Sequence, residues 1–387
     1  MNPLKALFRD RSSVRARLAG IGRYALRSDA HLTRQVAREI QVMAATHLPM
    51  LTGDLMLTEE SVGVTGRAVM LDNLYGNVRF FMNGLPLEEV EYPLPENDPK
   101  KFTEVGGAMA FQATTRANFA SLMRDKFLRI DASPTGVYRP QAWRQAWWFM
   151  NPRHESLPMP PAQNIRRVVG DESPTRFGMG GLTIYQNVTA MLRELGFDWA
   201  RFARTLDWGC GAGRITRYLI AESGSEVHGA DIDADNVSWC AENLKGAQFH
   251  HLPLAPPTRF ENNMFDLVIG ASVVTHLTEP MQFAWLEELR RITRPGALVF
   301  LSVAGACQYA HMGIEPDLYR RAQKRGFLDF SRDASLDGFI ANAEYYRSTW
   351  HSRAYIVETW SKYFDIITFA DGIAALQDFV VMRRPAD

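Results

Sequence analysis

In the run Leu206-Asp207-Trp208-Gly209-Cys210-Gly211-Ala212-Gly213-Arg214, three glycines alternate with other residues two places after an acid. Glycine takes backbone angles closed to other residues and lets a ligand approach the main chain, so this pattern at the end of an apolar run suits a cofactor cradle. The spacing narrows the ligand. A dinucleotide fingerprint wants its third glycine three places after the second, where this chain has Arg214, so a ligand without phosphates at the turn is favoured over a pyrophosphate. Further on, Glu226-Val227-His228-Gly229-Ala230-Asp231-Ile232-Asp233 brings a second run to an acid, the position from which a carboxylate binds ribose hydroxyls.

These residues need a scaffold that delivers them to one place. A short strand ends at the glycine turn and a helix resumes from Ile215; a helix over Val237 to Leu244 follows, then a strand from Ala247 to His250. Phe265 to Gly270 is nearly all apolar, as expected of a central parallel strand covered on both faces. A helix around Trp285 to Ile292 and a strand from Ala297 to Val303 complete the alternation, which predicts an α/β, doubly wound sheet. A helix over Arg353 to Tyr363 and strands Phe364 to Phe369 and Leu376 to Met382 end the chain.

Together these stretches resemble motifs I and IV of the class I S-adenosylmethionine-dependent methyltransferases, most closely a bacterial small-molecule or glycan-associated group. The resemblance covers about Arg166 to Arg384 and implies a Rossmann-like seven-stranded sheet whose last strand runs antiparallel between its neighbours. It implies S-adenosyl-L-methionine as cofactor. Asp207 then lies near the cofactor's amino group, and Gly209, Cys210, Gly211, Gly213 and Arg214 form the turn under its methionine part. Asp231 and Ile232 take the ribose, and His251 and Leu252 stand at the adenine, where many members have an Asp that this chain lacks. Gly270 and Ala271 close the site from the motif IV strand.

A sulfonium makes its methyl carbon electrophilic, so the protein mainly has to align a nucleophile behind it. A hydroxyl acceptor also needs a base; His276, after the motif IV strand, is the first candidate and His351 the second, since imidazole titrates near neutrality. The expected activity is O-methylation of a small molecule, sugar or glycan. Two alternatives remain: a partner-binding protein that keeps the fold without catalysis, and an NAD(P)-dependent oxidoreductase, which Arg214 and the lack of a second nucleotide half oppose.

The 387 residues suit two domains. With 43 basic and 43 acidic residues no global field draws nucleic acid, which is disfavoured as a partner. Cys210, Cys240 and Cys307 form no C-x-x-C pair, and His250-His251 has no acidic or cysteine ligand at a fitting spacing, so no metal is expected. No apolar run reaches the roughly 20 residues of a membrane span, and the N-terminus lacks a signal-peptide core, which points to the cytoplasm.

Residues 1–50 read as a basic amphipathic helical segment; its first part, residues 1–27, suits docking on its own protein, a partner subunit in an oligomer, or the inner membrane face. Residues 51–135 form short β-rich runs, with Asn83-Gly84 as a hairpin turn, and predict a small β-sandwich-like module. Residues 136–175 read as a linker and cap, in which Trp143, Trp147, Trp148 and Phe149 fit a buried helix face and Leu157-Pro158-Met159-Pro160-Pro161 an extended strap. The methyltransferase-like domain takes 176–387, with a helix from Leu182 to Leu195 and an insertion at 304–349 as a substrate cap. That insertion carries Tyr309, His311, Tyr319, Phe327, Tyr345 and Tyr346.

Overall fold

Val62 and Val64 on one strand and Phe111 and Ala113 on its neighbour are fully buried at two-residue intervals, the period at which a strand returns to the same face. They belong to a computed structural model that describes residues 50–69, 78–94, 100–102, 106–133, 146–305, 308 and 316–386. The basic segment 1–49, Trp143, Cys307, Tyr309 and His311 lie outside the described residues.

The first sheet pairs β1 (Met50–Leu57), β2 (Val62–Val69), β7 (Gly106–Thr115) and β5 (Glu89–Leu94) in that order, with β6 (Lys100–Phe102) also on β7. The second runs β4 (Leu85–Pro86), β3 (Arg79–Met82), β8 (Phe127–Ser133), β9 (Trp147–Met150). All their pairings are antiparallel. Phe80 of the second sheet stacks on Phe111 of the first at 4.2 Å, and Met82, Leu128, Ile130 and Phe149 close the core between them. Asn83 and Gly84 both take positive φ, as a tight hairpin turn between β3 and β4 requires.

One element differs from the sequence reading. Trp147–Met150 is a strand paired with β8, so the second sheet reaches past residue 135 and Trp147 and Trp148 lie on no helix. The cause is burial on both faces: Trp147 enters the sandwich core while Trp148 packs toward the other domain, which erases the alternation that marks a strand.

A short helix α1 (Phe119–Leu122) precedes β8; after β9 the proline-rich strap leads to α2 (Ala162–Val169) and α3 (Pro174–Glu194). The latter begins well before Leu182. Ser173 caps it by accepting from the Arg176 amide, and Pro174 fills the first turn, where no amide is needed. Its buried face, including Leu182, Ile184 and Val188, covers the large sheet.

That sheet has seven strands: β10 (Arg204–Trp208), β11 (Glu226–Asp231), β12 (Ala247–His251), β13 (Phe265–Gly270) and β14 (Thr293–Val303), then, after the insertion's antiparallel pair β15 (Phe327–Arg332) and β16 (Arg347–His351), β17 (Asp365–Ala374) and β18 (Gln377–Arg383). The order is β12-β11-β10-β13-β14-β18-β17. The first five are mutually parallel and β18 runs antiparallel between β14 and β17, as the resemblance implied. Helices α4 (Thr216–Glu222), α5 (Ala234–Asn243), α6 (Glu279–Ile292), α7 (Pro316–Arg325) and α8 (Arg353–Trp360) complete the domain. One face of the sheet packs on α3 and α4; on the other, Trp285 and Leu289 of α6 and Ile356 and Trp360 of α8 cover Val268, Val299 and Val380. Burial on both faces is what a parallel sheet requires. Among the described residues no helix is long and apolar enough to cross a membrane.

Candidate active site

Because β10, β11 and β13 are parallel, their carboxyl ends meet at one edge. There the amides of Gly209 and Cys210 both donate to the Ala230 carbonyl, at 2.7 and 3.1 Å, and turn the chain away from the sheet. The Asp231 carboxylate ties this turn to its own loop: Oδ2 accepts from the Gly211 amide at 2.7 Å and Oδ1 from the Asp233 amide at 2.9 Å. Gly209, Gly211 and Gly213 have φ of 76°, 53° and 79°. A Cβ on them would lie 2.2 Å from Val273, 2.7 Å from Val168 and 2.4 Å from Leu244. Glycine is therefore demanded by the turn's own packing as much as by any ligand.

A cavity of about 790 Å³, counting its open mouth, lies over this turn. One wall is apolar and aromatic, made by Trp208, Ile232, Leu252, Leu277 and Trp285. Asp231, Arg214, Gly209 and Gly211 form the polar side. Arg167 and Val168 of α2 and Leu336, Tyr345 and Tyr346 of the insertion cover it, while Ala271, Ser272, Val273 and His276 line it beyond β13.

Burial shapes the charges. Desolvation pushes the Asp231 carboxyl up to about 6 against the pull of its amide donors, and Asp207 likewise to about 6, although the Thr216 hydroxyl donates to it at 2.6 Å. Asp207 Oδ1 is buried with no hydrogen-bond partner among the described residues. Burial lowers the Arg214 guanidinium, with Asp207 opposing. Arg214 lines the cavity, packs against Gly180 and Gly181 of α3, and forms no hydrogen bond or ion pair with any described residue. The Arg167 side chain is 5% exposed, donates from Nε to Asp233 at 2.7 Å and from Nη2 to Asp235 at 2.5 Å, lies 4.0 Å from the Phe339 ring centroid, and keeps a buried Nη1 with no hydrogen-bond partner among the described residues. That clamp ties α2 and the insertion to the start of α5.

His276 lines the cavity. Its Nδ1–H donates to the Arg347 carbonyl at 2.8 Å, its ring stacks on Tyr346 at 4.0 Å, and its Nε2 lies 3.4 Å from Ser272 Oγ. Since a carbonyl can only accept, Nδ1 carries the proton and Nε2 offers a lone pair. Desolvation lowers the imidazole from its ordinary value, with the Arg347 carbonyl and Asp333, 3.6 Å from Nδ1, opposing. His351 is placed differently. It is buried behind the cavity among Phe327, Tyr355 and Trp360, donates from Nε2 to Gln282 Oε1 at 2.8 Å, and burial pushes it down to about 3.

Of the residues anticipated around a cofactor, Gly209, Gly211, Arg214, Asp231, Ile232, Leu252 and Ala271 line the cavity. Asp207, Cys210, Gly213 and Gly270 support it from behind: Cys210 is buried with its thiol pushed up, and a Cβ on Gly270 would meet Leu301 and Trp208. His251 does not line it; its Nε2–H donates to the Ile232 carbonyl at 3.2 Å, which leaves Leu252 to face the cavity. The neighbouring His250 turns to His228, 3.0 Å away. Among the described residues no group of three or more His, Cys, Asp or Glu could hold a metal. Arg167, Asn236, Ser272 and Trp285 line the cavity without having been singled out as ligands. The Arg166-Arg167 pair was the available signal, and only the fold tells which of the two is buried: Arg166 pairs with Glu172 at the surface.

An open parallel sheet with a glycine turn, a terminal acid on the next strand and a cavity at their carboxyl ends defines a Rossmann-like cofactor domain. Residues 206–301 match the family described as "Methyltransferase domain", and they lie within the seven-stranded sheet described above. The chain is 32% identical over 111 residues to a malonyl-[acyl-carrier protein] O-methyltransferase of Enterobacter lignolyticus, covering 27% of this chain and 41% of that protein. It is 28% identical over 110 residues to a mitochondrial ubiquinone biosynthesis O-methyltransferase of Dictyostelium discoideum, covering 25% of this chain and 34% of that one. It thus spans less than half the length of either relative. A solved N-methyltransferase from Bradyrhizobium japonicum in complex with S-adenosyl-L-homocysteine aligns over 58% of this chain and 98% of its own, at 13% identity and a TM-score of 0.38.

Proposed function

We propose that this chain is an S-adenosyl-L-methionine-dependent methyltransferase that methylates a hydroxyl on a small molecule, sugar or glycan. The observation that carries the reading is the junction of Asp231 with the glycine turn in one cavity. The side-chain set fits the cofactor: Asp231 for the ribose diol, Arg214 for a carboxylate, and Ile232, Leu252, Leu277, Trp208 and Trp285 for a purine face. When bound, the cofactor supplies a methyl group on a positively charged sulfur.

His276 Nε2 is the proposed proton acceptor. It would take the proton of the acceptor hydroxyl, and the Arg347 carbonyl and Asp333 face the imidazolium that results. Tyr346, stacked on His276, and Leu336 keep water from this end of the cavity. His351 is buried, bonds Gln282 and does not line the cavity, so it is assigned to packing. The two relatives, named as O-methyltransferases, support oxygen as the acceptor atom.

Calorimetry with S-adenosylmethionine and with NADH tests the reading against an oxidoreductase or a catalytically silent binding protein. Binding of the first alone, weakened about 100-fold or more by Asp231→Ala through loss of its charged hydrogen bonds, is expected. NADH binding alone, or no binding of either, overturns it.

A further inference from the structure

Ser272 holds a conformation that its residue type resists. It follows the carboxyl end of β13 with φ of 63°, a left-handed backbone costly for a side chain with a Cβ, and the strain persists only because its surroundings fix it. Those surroundings are a closed ring of three hydrogen bonds. The Ser272 amide donates to Ser302 Oγ at 2.6 Å, Ser302 Oγ donates to Gln377 Oε1 at 2.5 Å, and Gln377 Nε2 donates back to Ser272 Oγ at 3.1 Å. Ser302 on β14 is fully buried and Gln377 begins β18, so the last hairpin of the sheet reaches the cavity through this ring.

The ring sets the direction of every proton in it. The Ser302 hydroxyl spends its proton on the amide oxygen of Gln377, which orients the amide nitrogen toward Ser272. Ser272 Oγ therefore accepts from Gln377, and its own proton is left for His276 Nε2 or Thr275 Oγ1, each 3.4 Å away. On the other side of the imidazole the Arg347 carbonyl fixes the proton on Nδ1. Hydrogen bonds at catalytic positions are often slack before ligands bind and tighten afterwards.

We propose that Ser272 is a positioning residue for His276: held by Gln377 and Ser302, its hydroxyl donates to Nε2 and keeps that nitrogen unprotonated and turned to the cavity until an acceptor hydroxyl takes its place. The inference deepens the methyltransferase reading and rests on it for its catalytic meaning. When the acceptor enters, its O–H replaces the Ser272 donor at Nε2 and its proton moves to that nitrogen; Ser272 keeps its own proton. The groups that face this imidazole are Ser272 from its own loop, Asp333 and Tyr346 from the insertion, and the Arg347 carbonyl from β16.

The test is nitrogen-15 NMR of the full chain with labelled histidine, followed through a pH titration in the wild type, Ser272→Gly and Gln377→Met. Glycine accepts the positive φ, so Ser272→Gly removes the hydroxyl without adding strain; Gln377→Met removes the donor behind it. The expected wild-type signature is a protonated Nδ1 and an unprotonated, hydrogen-bonded Nε2. In both variants Nε2 moves toward the shift of a nitrogen without a donor, and His276 titrates about 0.4 to 1 pH unit higher, the equivalent of one lost neutral hydrogen bond. A wild-type Nε2 that carries the proton, or an Nε2 signal and titration unchanged in either folded variant, overturns the proposal. Binding of S-adenosyl-L-homocysteine, measured on the same samples, separates the two readings: its absence in a wild type with the expected signature sinks the methyltransferase assignment and leaves the ring standing.

Discussion

The two halves of the molecule bury their strands with equal success and differ in what their edges can collect. In the module of residues 50–150 every pairing is antiparallel, so successive strands end at opposite edges and loop residues are shared between two sides. In the large sheet β10, β11, β12, β13 and β14 are parallel, and all five carboxyl ends open onto one edge. Asp231, the glycine turn, Leu252 and the Ala271–His276 loop converge there although up to 67 residues separate Gly209 from His276. The polar groups that a chemistry needs are gathered by strand direction, not by any property of the strands themselves.

If that contrast is sound, core damage in the module and damage at the parallel edge give opposite phenotypes. Phe111→Ala removes a ring that stacks across the sandwich and is expected to cost roughly 3–5 kcal/mol of stability, read by denaturant unfolding, while molecules that remain folded bind S-adenosyl-L-homocysteine as before. Asp231→Ala should do the reverse. An affinity loss in Phe111→Ala beyond its unfolded fraction would mean that the module takes part in the site.

A second comparison lies within the glycines. Gly209 and Gly296 both have positive φ, but a Cβ on Gly209 meets Val273 at 2.2 Å whereas one on Gly296 meets nothing within 4 Å. Gly296→Ala should cost about 1 kcal/mol from backbone strain alone, and Gly209→Ala about 1–3 kcal/mol more from overpacking. Equal costs would show that Val273 yields freely and that the turn is looser than its contacts indicate.

A third comparison separates the two histidines. Burial holds His351 at about 3 in the folded chain, so the unfolded chain binds more protons below its ordinary value of 6.5. Its contribution is complete above about pH 6.5 and falls by about 1.4 kcal/mol per pH unit on acidification toward 3. Asp207, Asp231 and Asp378, raised to about 6 by burial, act in the opposite sense between about pH 6 and 4. The readout is therefore the difference in slope between the wild type and His351→Leu, whose acid limb should be flatter while its affinity for S-adenosyl-L-homocysteine is kept. A variant that loses that affinity would put His351 back in the site.

What could be read from the chain was local. The glycine turn, Asp231 and the apolar strand Phe265–Gly270 announce themselves within a few residues, and the order of strands and helices followed from their alternation. What escaped was set at a distance. Arg167 is buried because Asp233 lies across the cavity mouth, and Ser272 is fixed by Gln377, 105 residues away; no spacing encodes either pair. The partner of His251 was set in the same way: its place at the end of β12 was legible, but the Ile232 carbonyl that its ring meets belongs to the neighbouring strand's loop. The strand Trp147–Met150 was hidden by its own hydrophobicity, since two aromatic faces packed against two different cores leave no period to detect.

The most direct measurement is a crystal structure of the chain with S-adenosyl-L-homocysteine. The account predicts the ribose hydroxyls on Asp231, the amino acid tail over Gly209 to Arg214, and the sulfur turned toward the space beside His276 Nε2. A ligand bound outside this cavity, or one whose sulfur faces away from His276, would contradict it.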